Sequence, residues 1–316
     1  MNVPKLSIGL PVYNGENYLE DAVTSLLAQT FGDFELILSD NASTDRTRDI
    51  CLAFADADPR VRYHRFDRNM GAATNFNHVF TMARGRYFKW AAHDDVCEPA
   101  YLERCIEVLD SDDSVVLCHA RSGRIDAEGN EVGVYDYPVR YDAPKTADRF
   151  LDLVTVRHDC ITVFGVIRPE VLVKTPLIGS YVASDRVLLA ELALHGRLME
   201  IPEILFHRRD HVQVSSMLDE RNDRLAWFDP HKSGVVSLPN WRVIREYVAA
   251  LGRAPMNPDD AFACWRCLPA HIRSRDRHLK KDLKEASKML LNRSALGRKV
   301  MRGIQNGKAD PAVRGQ

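Results

Sequence analysis

The 316-residue sequence has no apolar run near the roughly 18 residues that a membrane-spanning helix needs, so no such helix is expected. Its first 15 residues, MNVPKLSIGLPVYNG, lack a basic segment followed by an apolar one, and no secretion signal is expected. Charge of one sign is also missing. The 43 Lys/Arg and 44 Asp/Glu leave a formal net charge of −1, which gives no overall attraction to a polyanion. A disulfide framework is missing too, because the seven cysteines are odd in number and scattered. One close pair exists, Cys264 and Cys267 in CWRC, with no second pair to complete a zinc site. These two read as thiols packed between helices, and a reducing cytoplasm is the expected location. No internal repeat or low-complexity segment interrupts the chain.

What is present is an alternation. LSIGL (6–10), FELILS (34–39), VRYHRF (61–66), RYFKWAA (86–92) and SVVLCHA (114–120) read as strands. Helical patterns lie between them at 16–29, 43–55, 71–83 and from Pro99 to about Leu109. In the first helix Leu19, Val23, Leu26 and Leu27 share one face. Strand–helix alternation of this length implies right-handed crossovers and an α/β fold, a mostly parallel sheet flanked by helices. Ligands in such sheets bind at the carboxyl ends of the strands, here Pro11–Gly15, Ser39–Asp45, Asp67–Gly71 and Ala92–Asp95.

After residue 120 the rhythm changes. A hairpin is expected about Glu128–Asn130, a strand within CITVFGVIRPEVL (160–172) with a short helix from Pro169, and a strong helix at 184–196. RLMEIPEILFHRRDH (197–211) reads as a strand ending in a charged cluster. The expected division is residues 1–214 as the main domain, its halves meeting near 120, and 215–316 as a helical, basic C-terminal extension. From Leu251 onward there are 15 Lys/Arg and 6 Asp/Glu. A basic amphipathic helix over 278–304 suits either a solvated surface or peripheral contact with the inner face of an anionic membrane. Nucleic acid is not expected as a partner, since no recognition module accompanies the basic tail.

Two adjacent carboxylates, Asp94 and Asp95, end the apolar run at 87–92. One acid suffices to start the helix that follows. Neighbours on an extended strand point to opposite faces, which suits a catalytic carboxylate dyad poorly. A hard cation such as Mg²⁺ or Mn²⁺ takes carboxylate oxygens and fills its remaining positions with water and phosphate, and the open end of the sheet leaves room for a diphosphate.

The segments LSIGLPVYNGENYLEDAVTSLLAQTFGDFELILSDNASTDRT, NMGAATNFN and AAHDDVCEP, in this order and spacing, resemble the nucleotide-sugar domain of family-two inverting glycosyltransferases, the Rossmann-like GT-A fold. The resemblance is dense over about 5–110 and looser to about 211. Where the family usually has DxDD, this chain has Ala92-His93-Asp94-Asp95. The resemblance implies a nucleotide pocket lined by Pro11, Val12, Tyr13, Asn14 and Glu16, with Asp40 and Asn41 at base or ribose. It implies Asp67–Gly71, with Arg68 and Gly71, over the nucleotide or phosphates, and Asn75 in the same pocket. Asp94 would hold ribose or sugar, and Asp95 a Mn²⁺ or Mg²⁺ that bridges the diphosphate. Asp185, in VASDRVLLAEL, stands where the family places its base, with Asp148, Asp152 and Asp159 as rivals. His211 or His207 would be a further metal ligand, Arg208 or Arg209 a phosphate clamp, and His93 a lesser candidate for substrate contact.

The activity implied is transfer of a single sugar from a nucleotide-diphosphate sugar to a saccharide or lipid-linked acceptor. The QxxRW motif and spanning helices of the family's chain synthases are missing. Two rival readings are weaker. A nucleotidyltransferase wants a basic, Gly-rich loop after the first strand, and LPVYNGENYL has no basic residue. A non-catalytic sugar-nucleotide-binding domain draws support from Ala92. Sugar, nucleotide, linkage and any homo-oligomeric state stay open.

Overall fold

The computed structural model describes residues 3–211, 227–229 and 236–293. The first half builds β1 (Leu6–Val12), α1 (Leu19–Leu27), β2 (Phe34–Asp40), α2 (Thr47–Ala57), β3 (Val61–Arg65), α3 (Ala72–Met82) and β4 (Tyr87–Trp90). There follow β5 (Val96–Cys97), α4 (Tyr101–Ser111), β6 (Val115–Ile125), β7 (Glu131–Val134), α5 (Thr146–Thr155), a 3₁₀ turn (Cys160–Phe164), β8 (Val166–Ile167), α6 (Pro169–Leu172), α7 (Ser184–His195) and β9 (Arg197–Arg209). After the main sheet come α8 (Pro239–Arg253), α9 (Pro258–Trp265), α10 (Leu268–Ser274) and α11 (Asp276–Arg293).

The strands form one sheet in the order β3-β2-β1-β4-β8-β6-β9-β5, with β7 beside β6. The first four are mutually parallel, and β6 runs parallel to β9, whereas β8 is antiparallel to both β4 and β6. Every residue of β1 and β2 is buried, because a sheet with helices on both sides leaves neither face to water. Alternation then divides the side chains. Leu6, Ile8, Leu10, Leu36 and Leu38 meet α1, α2 and α4 on one face. Ile37, Phe88 and Trp90 meet α3 and the later helices on the other. Gly9 is needed for that second layer, since a Cβ there would stand 2.5 Å from the Val79 side chain of α3.

The order β2-β1-β4 makes a switch point between β1 and β4, where a crevice opens beyond the strand ends. The pairing of β1 with β4 stops at Gly9–Trp90, whereas β1 continues beside β2 to Val12–Asp40. Pro11 lies past the last β4 partner, so its missing N–H leaves no ladder bond unmade.

The strand expected within 160–172 is present but short, and the helix expected from Pro169 is α6. Cys160–Phe164 is a 3₁₀ turn and only Val166–Ile167 pairs. The turn ends at Gly165, whose backbone lies so close to β6 that a Cβ would meet the Cys118 carbonyl oxygen at 2.7 Å. Helix α7 is apolar around most of its circumference and is buried accordingly. Val243, Tyr247, Ala250 and Leu251 of α8 join the same core as α7, and Arg253 clasps the buried Glu191 of α7 through two bonds of 2.9 and 2.8 Å. Cys264 and Cys267 are free, buried thiols in that core, as the sequence led one to expect. In α11 Leu279 packs inward while Leu283 and Leu290 are exposed. The part of the amphipathic helix expected beyond residue 293 lies outside the described residues.

Candidate active site

The β1–α1 turn and the β2–α2 turn are laced together at the crevice. Asn14 and Ala42 both take left-handed backbone, φ 52 and 63, a conformation held here by dense local bonding. The Asn14 N–H donates to the Ser43 hydroxyl (2.9 Å), the Gly15 N–H to that of Thr47 (2.8 Å), and the Glu16 N–H to Asp45 (3.1 Å). In return the Asn14 side-chain oxygen accepts from the Thr44 N–H (2.9 Å), and Glu16 from the Arg46 N–H (3.0 Å). Pro11 and Val12 are buried strand residues, so their backbone rather than their side chains meets the crevice. Tyr13, 44% exposed, stands at its mouth.

The expected contact of Asp40 with base or ribose does not suit its surroundings. Its carboxylate is completely buried. One oxygen accepts from the Ser43 N–H (2.7 Å), the other from the Tyr63 hydroxyl (3.0 Å) and Arg65 (2.9 Å). Asp40 therefore braces the loop after β2. Arg65 and Tyr63 were missed by sequence reasoning, although Arg65 is the register partner of Asp40 on β3. Asn41 ties this loop to the next by donating to Asn69 (2.9 Å) and accepting from the Met70 N–H (2.8 Å). Gly71 has φ 83 at the start of α3, and Arg68 beside it is exposed. Asn75 is buried and donates to the Ser39 carbonyl (2.9 Å), holding the end of β2 to α3.

Asp94 and Asp95 follow β4 and face the end of β9. His211 Nε2 lies 2.9 Å from the Asp94 carboxylate, and the His211 ring packs on Tyr18, centroids 4.6 Å apart. Asp95 accepts from the backbone N–H of Arg209 (3.0 Å). Burial pushes the Asp94 carboxyl up, but His93 and the His211 bond outweigh it and hold the group below its ordinary range. Burial and the adjacent Asp94 charge push Asp95 well above its own. The buried Lys89, bonded to the Phe164 carbonyl and unrecognised in the sequence, pulls Asp95 back only in part.

The two arginines of β9 separate. The Arg209 guanidinium is buried and already taken by the carbonyls of Asp94 (3.0 Å) and Ala127 (3.1 Å), by Asp21 (3.1 Å) and by the Tyr18 ring. It holds the acidic turn in place and is poorly placed to clamp a phosphate. Arg208 points the other way, to the Tyr135 hydroxyl (3.1 Å) and Asp159 (3.2 Å), within electrostatic reach of Asp95. His207 is engaged by Glu98 (3.0 Å), away from the acidic pair.

Asp185 occupies the first turn of α7, after Ala183 in left-handed backbone (φ 67). Burial raises its carboxyl above the usual range. Its bond from the Arg186 N–H (2.8 Å), the Arg186 charge and the Cys160 thiol pull the other way without overcoming it. Asp152 is spent on Arg140 (2.8 Å), Asp159 on Arg208, and Asp148 lies 3.7 Å from Arg140. Burial pushes Asp152 up, but its hydrogen bonds with Arg140 outweigh that and hold it below its ordinary range.

Two neighbouring carboxylates, Asp95 buried and Asp94 partly so, with Asp95 pushed toward its protonated form by burial and by the Asp94 charge, suit a divalent cation in donor type and charge. Among the described residues no group of three or more His, Cys, Asp or Glu side chains is arranged to hold a metal ion. No described helix is long and apolar enough to cross a membrane.

Comparison with known proteins agrees with this architecture. An uncharacterized glycosyltransferase of Rickettsia typhi is 36% identical over 118 residues, 36% of this chain and 36% of that protein. The chain thus spans about a third of that curated relative's length. Among solved structures, S. aureus TarS 1-349 in complex with UDP-GlcNAc superposes with a TM-score of 0.67 at 18% identity, covering 91% of this chain and 79% of that 1-349 chain. The mannosyltransferase PcManGT from Pyrobaculum calidifontis, in complex with GDP-Man and Mn²⁺, gives 0.50 at 16% identity over 93% of this chain and 89% of that one. These likenesses establish a shared GT-A-type fold. Residues 7–174, more than half of the sequence, match the model of glycosyl transferase family 2, and the chain belongs to that family.

Proposed function

We propose that the protein transfers one sugar, with inversion, from a nucleotide-diphosphate sugar to an acceptor hydroxyl. The observation that carries the reading is the acidic pair at the switch-point crevice: Asp94 and Asp95 follow β4 and meet His211 (2.9 Å) and the Arg209 N–H (3.0 Å), with Arg208 within electrostatic reach of Asp95. The nucleotide would lie over Tyr13, Asn14 and Glu16, beside Asn41 and Arg68, with its diphosphate toward Asp95 and Arg208 and its sugar beside Asp94. Asp185 would take the acceptor proton. As the acceptor oxygen bonds the anomeric carbon, the bond from that carbon to the diphosphate breaks and its electron pair leaves with the diphosphate. Asp95, with Asp94 and His211 beside it, would hold Mn²⁺ or Mg²⁺, whose chemistry is to neutralise the diphosphate charge. Without a cation, each carboxylate–phosphate charge pair at 4 Å repels by about 4 kcal/mol at an effective dielectric of 20.

The experiment is thermal unfolding with UDP-, GDP- and dTDP-sugars, with and without Mn²⁺. A donor at 100 times its dissociation constant stabilises by about 2.7 kcal/mol. No response to any donor would sink the reading.

Peripheral contact with an anionic membrane draws support from α11, where exposed Leu283, Leu290 and Leu291 stand among exposed Lys281, Lys284 and Lys288. Each basic residue near such a surface is worth roughly 1 kcal/mol. The expected result is co-sedimentation with phosphatidylserine liposomes that falls when these three lysines become glutamate. Equal sedimentation of both proteins removes the membrane from the account.

A further inference from the structure

A cavity of about 130 Å³ opens between β6, β7 and β9. His207 lines it, and because side chains alternate along β9 it lies on the face opposite Arg208. With His207 stand Glu98, just after β5, Gly123 of β6 and Glu131 of β7. The volume approaches the roughly 150 Å³ of a cavity that admits benzene, so a small organic group fits.

His207 is 7% exposed, and its Nε2 lies 3.0 Å from a Glu98 oxygen. A carboxylate only accepts, so Nε2 carries the proton and, in the neutral ring, Nδ1 keeps its lone pair. That Nδ1 is buried and has no hydrogen-bond partner among the described residues. It faces Gly123, where a Cβ would stand only 2.6 Å away, so glycine is what leaves this edge of the ring uncovered. A buried acceptor without a donor is costly. Glu131 is exposed, and no ion pair engages it among the described residues. The cavity therefore brings together three acceptors: Nδ1 and two carboxylates.

Charge narrows the ligand. The residues described around the cavity include no lysine or arginine. Arg209, two residues from His207 on the same face of β9, is bonded to Asp21 (3.1 Å), and Arg104 to Glu203 (3.0 Å), the neighbour of Ile204. Each of these cations is offset by an acid of its own, so the two carboxylates favour a cationic ligand. A metal ion does not suit them. Its bonds to oxygen and nitrogen are about 2.0–2.2 Å long, and among the described residues no three His, Cys, Asp or Glu side chains are grouped to supply them. An ammonium reaches acceptors about 2.9 Å away, and its three N–H donors match three acceptors in number.

We propose that this cavity binds a primary ammonium on a short alkyl stem. The N–H groups donate to His207 Nδ1 and to the Glu98 and Glu131 carboxylates, and the stem lies against Val134 and Ile204, the apolar part of the lining. The assignment does not rest on the transferase reading.

The test is a ligand-observed NMR titration of the full chain with n-butylamine, n-butanol and tetramethylammonium. So small an amine is expected to bind with a dissociation constant of about 1 mM. Butanol has the shape without the charge, and tetramethylammonium the charge without a donor; each should bind at least about tenfold more weakly. Glu98→Gln keeps an oxygen for the His207 Nε2–H and removes one charge. Glu131→Gln does the same at an exposed position that endangers folding less. Each should weaken butylamine about tenfold, the worth of one charge-assisted hydrogen bond. The assignment is overturned if butylamine does not bind. Equal binding of butanol would leave only an apolar hollow, and equal binding of tetramethylammonium only diffuse charge; either result rejects the ammonium site. Wild-type affinity in Glu131→Gln would place the amine elsewhere and reject it too.

Discussion

Asp185→Asn is expected to cut sugar transfer by about 10²–10⁴, the usual worth of a general base, while nucleotide-sugar binding stays at the wild-type level. The substitution keeps the size of the side chain and its oxygen for the Arg186 N–H, now at 2.8 Å. What it removes is the site that receives the acceptor proton. The split between turnover and donor binding separates this role from a structural one, because loosening the start of α7 would disturb both. The raised carboxyl adds a second signature. A base must be ionised to act, so the wild-type rate should fall as pH drops through a value above the ordinary Asp range, and the variant's residual rate should lack that limb. Stability runs the other way. A carboxyl whose folded pKa is raised holds its proton more tightly when folded, so it lowers stability as pH rises from its unfolded value through its folded one. Asparagine removes that slope. A variant that turns over like wild type would dismiss Asp185 as the base.

How far the site was legible depended on the range of its bonds. The strand ends Pro11–Gly15 and Ser39–Asp45 were readable because turn chemistry is local, polar residues and glycine following an apolar strand, although the helices expected from 16 and 43 begin only at Leu19 and Thr47. The buried roles of Asp40 and Arg209 were not. The partners of Asp40, Tyr63 and Arg65, come from the next strand and meet it only through the register of β2 with β3. FHRRDH reads as one charged cluster, yet the period of two along β9 sends Arg208 to Tyr135 and Asp159, and Arg209 to Tyr18 and Asp21. Pattern reveals that side chains alternate but not which neighbour waits on each face. The 3₁₀ turn at Cys160–Phe164 shows the same limit, since its apolar sequence suits a strand and the close approach of Gly165 to β6 decides otherwise. Lys89 went unremarked because a lysine inside an apolar run reads as an edge, whereas here it is wholly buried, bonds a carbonyl and lies over the Tyr101 ring at 4.8 Å.

Asp95→Asn should abolish the Mn²⁺-dependent share of donor stabilisation and leave the metal-free protein at least as stable as wild type. Removing a buried, hydrogen-bonded side chain usually destabilises, so the second half of this expectation is the more demanding. It follows from the state of the carboxyl. Burial and the Asp94 charge press Asp95 toward its protonated form, which means that near neutral pH the folded protein carries the strain of two adjacent carboxylates. Asparagine keeps an oxygen for the Arg209 N–H (3.0 Å in wild type) and sheds the repulsion, so the decline in stability from the unfolded pKa upward should flatten. With Mn²⁺ and a nucleotide sugar the order reverses. The wild type gains a ligand-dependent increment of about 2.7 kcal/mol at a hundredfold excess over the dissociation constant, and the variant retains only what nucleotide contacts provide unaided. Proton release links the two halves, because a cation binds the ionised carboxylate and competes with the proton, whose hold on Asp95 burial and the Asp94 charge strengthen. Its apparent affinity in the wild type should therefore rise with pH, and calorimetry in buffers of different ionisation enthalpy should register the released proton. A variant that is less stable without metal yet responds to Mn²⁺ as fully as wild type would make Asp95 a packing residue, and the cation would have to be sought elsewhere.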